Sequence, residues 1–205
     1  MATKLGLIQN ALILIGDLPI DSLTGTTRAH TVANSLYDST VQNELSKYRW
    51  GFARKKQAIK VDNDGNNQAT VTGTEWSAKY TLPTDLITLI KVNPSVPYQI
   101  IEGKIYANLD QTYTSGNVLD ATAWVPNVFI DYIYNVSESS FPAYFAKMIE
   151  YRLAMDFAPA IRDSAASMQM MAQQYENASR MARYADSQQH PITPIQDRPF
   201  LDVRF

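Results

Sequence analysis

Apolar residues recur at steps of three and four through the first fifty positions. They alternate or cluster in short runs through the middle, then return to helical spacing before a proline-rich end. The first helix is expected from Thr3, a residue suited to an N-cap, to Gly16, a natural stop. Leu5, Ile8, Leu12 and Ile15 mark its stripe, and Ile13 and Leu14 widen it, so burial on more than one side is expected. A second, amphipathic helix is expected over Thr27–Tyr48. Its apolar face carries Ala29, Val32, Ala33, Leu36, Tyr37, Val41, Leu45 and Tyr48, with Glu44 among the polar residues assigned elsewhere.

From Arg49 the period changes. Phe52–Val61 reads as a strand and the polar run from Asp62 to Asn67 as a loop. Glu75–Leu82 alternates until Pro83, Leu86–Val92 is apolar and β-branched, and Val128–Tyr134 is a last strand. Between them Tyr98–Ala107 has the form of a hairpin turning at Glu102-Gly103-Lys104. Five or six strands are expected.

Helical spacing resumes after Ser139-Ser140-Phe141-Pro142, a serine cap with proline in the first turn. The third helix should reach Ile161, ended or kinked by Pro159, and the fourth should run from Asp163 to Ser187. Met168, Met171, Tyr175, Ala178, Ala182 and Ala185 give the fourth a heptad-like seam. The rest holds three of the chain's ten prolines, which favours extended backbone. Yet Ile192, Ile195, Phe200, Leu201, Val203 and Phe205 are too apolar for a solvated tail.

The expected class is therefore α+β. Residues 1–48 and 140–187 together form a four-helix antiparallel bundle, 49–139 an inserted small antiparallel β domain, and 188–205 an extended arm. Trp50 and Phe52, at the helix-to-strand junction, and the six apolar residues of the arm are the candidate interface.

Composition narrows the function. A net charge of −2 supplies no cationic excess for phosphates. The absence of cysteine removes disulfides, thiolate metal sites and cysteine nucleophiles. The N-terminal apolar run is interrupted at Gln9 and Asn10 and falls short of the about 20 residues of a membrane span. A soluble protein without membrane anchoring or a classical export signal is expected. His30 and His190 share no triad or metal spacing. A calcium loop starting at Asp62 would need glycine sixth and glutamate twelfth, where Asn67 and Gly73 stand. Asp85, Glu102, Asp110 and Asp131 are carboxylates with no sequence reason to pair. No catalytic, cofactor-binding or metal-binding residue is therefore assigned, and no enzymatic activity is expected. Arg49, Arg54, Lys55, Lys56 and Lys60, interleaved with Trp50 and Phe52, form a basic cluster that suits one charged face of a strand, an acidic partner or nucleic acid.

Several stretches, in order, resemble one family. Asn10–Leu23 (NALILIGDLPIDSL) is similar to the opening of podophage tail tubular protein A, the head-to-tail adaptor. Ala33–Tyr37, Glu44-Leu45 and Trp50-Gly-Phe-Ala53 resemble its second helix and exit; Tyr80-Thr-Leu-Pro-Thr-Asp85 and Tyr98–Tyr106 resemble later elements. Phe145–Ala158 and Tyr175–Ala185 look like its closing helices. The resemblance implies a virion protein assembled in the host cytoplasm. It forms a self-associated, twelvefold ring between portal protein and tail nozzle, with DNA passing through the lumen without specific binding. It also implies that helices meet the portal, strands face the nozzle, and the arm reaches a neighbour. The other expectations are a head-completion or neck protein of another tailed phage and, in a different class, a DNA-binding packaging accessory protein.

Overall fold

The computed structural model describes residues 1–59, 75–76, 78–108 and 128–189. Over these residues the fold is α+β, with four helices and two small antiparallel three-stranded sheets. Helix α1 spans Lys4–Leu14, and Thr3 caps it by accepting the Gly6 N–H at 3.1 Å. It ends where Gly16 turns left-handed (φ 76°), with the Gly16 amide donating to Ile13 and the Asp17 amide to Leu12, both at 3.0 Å. That pair of bonds is the Schellman arrangement, which glycine adopts without a Cβ penalty. Only one side of α1 is buried: Leu7, Ile8, Ala11 and Leu12 face inward, while Ile13 keeps 56% of its surface. Of the two residues expected to widen the stripe, Ile13 is exposed and Leu14 is half-buried against the helical core.

Helix α2 (Arg28–Ser46) buries Ala33, Tyr37, Val41 and Leu45 as expected, and Glu44 with them. A 3-10 turn over Gly51–Ala53 then replaces the start of the expected strand, and β1 spans Arg54–Ile59. Strands β2 (Ala78–Thr81), β3 (Leu86–Asn93), β4 (Tyr98–Ile101), β5 (Lys104–Ala107) and β6 (Val128–Tyr134) follow. The loop expected from Asp62 lies outside the described residues.

The strands divide into sheets ordered β1-β6-β3 and β2-β5-β4. The β4–β5 hairpin turns on Glu102 (φ 51°) and Gly103 (φ 72°), the two positive dihedrals of a two-residue turn matched to strand twist. The β1-β6-β3 sheet lies between two hydrophobic clusters. Ile133 joins the cluster of the helices, whereas Val128, Ile130 and Tyr132, facing oppositely along β6, join Tyr80, Ile105 and Ala107 of the outer sheet. The layers are thus helices, inner sheet, outer sheet.

Helix α3 (Ala143–Arg162) begins after a 3-10 turn at Glu138–Ser140, so Pro142 takes the N-cap position rather than the first turn. Pro159 lies inside its last turn, and the helix continues three residues beyond it. Asp163, left-handed at φ 54°, ends α3, and Ser164 opens α4 (Ala165–Ser187) by accepting the Ser167 N–H at 3.2 Å. Helix α3 is the hub, packing extensively on α1, α2 and α4. These contacts do not delineate the expected four-helix antiparallel bundle. An apolar stripe needs an apolar partner, and part of that partner is sheet: α2 packs on β3, with Ile87 and Ile90 against the helical core.

Candidate functional site

The junction between helices and strands is built around Trp50. As α2 ends, its indole turns inward, donates Nε1–H to the Glu44 carbonyl at 3.0 Å, and keeps 1% of its surface. Tyr48 and Phe145 meet it edge-on at centroid distances of 4.9 and 5.0 Å. Phe52 stacks obliquely on Phe145 at 4.8 Å and is half-buried. Of the two junction residues expected at an interface, Trp50 therefore leaves no face for a partner. Ile192, Ile195, Phe200, Leu201, Val203 and Phe205 lie outside the described residues.

Two buried carboxylates hold this corner, and the sequence reading missed both. Asp186, near the end of α4 and 1% exposed, accepts the Gly51 N–H at 3.0 and 3.1 Å and the Tyr144 hydroxyl at 2.9 Å. Burial, and then that bond, raise the Tyr144 phenol above its ordinary value. Glu44, also 1% exposed, accepts from Lys47 Nζ at 2.6 Å and from the Tyr175 hydroxyl at 2.8 Å, with Arg152 Nε 3.4 Å away. Burial favours neutral Lys47, but the hydrogen bond and charge of Glu44 outweigh it and raise the lysine. The signals were positional: Asp186 continues the α4 seam four residues after Ala182, and Glu44 stands three after Val41.

Beyond this knot α2 and α4 part, leaving an open groove of about 450 Å³ floored by Arg152, Met155, Asp156 and Pro159 of α3. Thr40 donates to Asp156 across it at 3.3 Å, and Met168, expected in the α4 seam, stands at its rim with 41% exposure. Further along α4, Met170, Met181 and Tyr184 are exposed, as are Tyr98, Ile100 and Ile101 of β4 in the outer sheet.

Three of the five residues of the basic cluster have partners within the subunit, while Arg49 is exposed and Lys60 lies outside the described residues. Arg54 pairs with Asp131 at 2.6 Å and Lys55 with Asp85 at 2.9 Å, while Lys56 lies over the Phe129 ring. The Asp85 and Tyr132 bonds raise Lys55; burial alone would raise Asp85, but the bond to Lys55 leads in holding it below the usual carboxylate range. Of the four candidate carboxylates, Asp85 and Asp131 are thus ion-paired, Glu102 occupies the hairpin turn, and Asp110 lies outside the described residues. His30 shares a 2.5 Å hydrogen bond with Thr27 at the start of α2, and His190 lies outside. Among the described residues no three histidine, aspartate or glutamate side chains gather as metal ligands. None of the described helices is long and apolar enough to cross a membrane. No family model and no curated protein sequence matches the chain.

Proposed function

We propose that this chain is a structural adaptor of a short-tailed phage virion. Copies form a ring that joins the portal to the tail nozzle and continues the DNA channel. The observation carrying this reading is that apolar surface stands exposed in both outer layers: Met170, Met181 and Tyr184 on α4, and Tyr98, Ile100 and Ile101 on β4. A subunit that must hold one ring through its helices and another through its strands needs adhesive surface on both. The ordered resemblance to the tail tubular protein A family supports the same reading. In it the four helices act as an antiparallel bundle toward the portal, the β region faces the nozzle, and residues 188–205 contact a neighbour. DNA crosses the lumen without specific contacts, in keeping with a slightly acidic chain whose Arg54 and Lys55 are already paired.

Electron microscopy of the purified protein, alone and mixed with portal and nozzle proteins, tests this. Closed rings that stack on the portal and accept the nozzle are expected. A monomer that binds neither would overturn the proposal.

A further inference from the structure

Among the described residues the two sheets have four edge strands, and three carry charge: Arg54, Lys55 and Lys56 on β1, Lys79 on β2, and Lys91 on β3. Charged side chains on an edge deter pairing with another chain. Strand β4 (Tyr98-Gln-Ile-Ile101) carries none, and all four of its residues are exposed. Two cross-strand rows show how far it overhangs the core. Along Tyr80–Ile105–Ile100, exposure runs 5%, 0% and 48%; along Ala78–Ala107–Tyr98 it runs 4%, 1% and 41%. The core-facing side of the outer sheet therefore continues past its cover, and Ile100 and Tyr98 extend an apolar surface that keeps nearly half its area exposed.

Among the described residues, no strand pairs with the backbone on the same side. A two-residue turn makes Ile101 and Lys104 the hydrogen-bonded closing pair, and pairs alternate from there. Tyr98 and Ile100 then fall in the non-bonded pairs, so their N–H and C=O groups point away from β5 along the open edge. A strand added there would gain backbone hydrogen bonds and bury both side chains.

We propose that the β4 edge of one subunit receives residues 200–205 of a second copy as an added strand. The sequence of that segment, Phe-Leu-Asp-Val-Arg-Phe, alternates Leu201, Val203 and Phe205 with Asp202 and Arg204. This puts three apolar side chains on one face for the Tyr98–Ile100 strip and one charge of each sign on the other. Pro191, Pro194 and Pro199 all lie before it, so each of its residues keeps an amide to donate. Residues 190–199 can span roughly 33 Å when extended, enough to leave the parent subunit. The neighbour itself rests on the ring reading above; the acceptor strand and the donor residues do not.

The chain has no cysteine, so engineered thiols report without background. An Ile100→Cys chain is mixed with chains carrying Leu201→Cys, Val203→Cys or Phe205→Cys and mildly oxidised, with circular dichroism confirming the fold of each. A disulfide-linked heterodimer is expected for at least one pair. It should exceed by about tenfold the yield with Asp202→Cys, which points to the opposite face. Two results would overturn the proposal: no bond with any of the three, or Ile100→Cys chains linking only to each other. Rings that stack on the portal without these bonds would remove the strand pairing and leave the adaptor. Bonds formed by a protein that never binds portal or nozzle would do the reverse.

Discussion

The helical layer and the outer sheet spend their apolar residues differently. Around Trp50, Phe145 and Phe157 the helices bury aromatic rings completely. Two of the polar groups brought inside with them are paired: the indole N–H with the Glu44 carbonyl, and the Gly51 amide with Asp186. The outer sheet buries a thinner set (Ala78, Tyr80, Ile105 and Ala107) and leaves β4 exposed. One region is finished within the subunit, and the other has an unfinished side. The inner sheet ties them together, since Ile133 belongs to one core and Tyr132, beside it on β6, to the other. A single cooperative unfolding transition is therefore expected, and two separated transitions would break the comparison.

Trp50→Ala should have the largest effect, a loss of about 3–5 kcal/mol, because it opens a cavity among three aromatic rings. Urea unfolding followed by far-ultraviolet circular dichroism measures it. A loss below that of any outer-sheet substitution would reverse the ranking of the two regions. Ile105→Ala, in the middle of the outer sheet, should cost about 2–4 kcal/mol in the same assay, through a smaller core more able to relax.

How much of this was legible depended on whether a feature is local. Thr3, Gly16 and the Glu102-Gly103 turn each act through their own backbone, and the sequence reading located all three. The division of strands into two sheets is non-local. Alternation shows that Tyr80 and Ile130 each have an inward face but says nothing of which sheet either joins. The helices posed the same difficulty: their stripes required apolar partners, and nothing in a stripe specifies that β3 supplies one. Glu44 was placed on the polar side and Asp186 passed over because acids are rarely buried without partners. The partners Lys47, Tyr175, Gly51 and Tyr144 meet them only in the folded chain. Among the candidate interface residues, Trp50 was legible as important but not as buried, since an aromatic at a helix exit suits a core and a docking surface equally.

Asp186→Ala should rank third, costing about 1–3 kcal/mol by leaving the Gly51 amide and the Tyr144 hydroxyl without an acceptor. Asp186→Asn should recover part of that, and equal losses for both variants would mean that the hydrogen bonds matter little. Asp156 should give a smaller effect with a definite sign. Burial holds its carboxyl above the ordinary value, with Arg152 and the Thr40 hydroxyl pulling the other way. An acid with a raised folded pKa binds its proton more readily in the folded state. Its contribution is therefore full below the unfolded pKa and lost as pH rises through the folded one. Asp156→Asn should accordingly compare more favourably with the parent protein at pH 7 than at pH 4 in paired urea titrations. The opposite order would show that Arg152, rather than burial, governs the site.

The smallest expected effect is the sharpest statement of the contrast. Ile105 and Ile100 are the same residue type, directly paired across β5 and β4, and differ in exposure by 0% against 48%. If burial inside the subunit sets the cost of truncation, Ile100→Ala should change stability by no more than about 0.5 kcal/mol, where Ile105→Ala costs several times that. Should Ile100→Ala destabilise the isolated subunit as much as Ile105→Ala, the β4 strip would already be covered within one chain. It would then have nothing left to offer a second copy. A silent substitution, with Ile105→Ala costly beside it, leaves the side chain of Ile100 available to a neighbour, and assembly is where its loss should register.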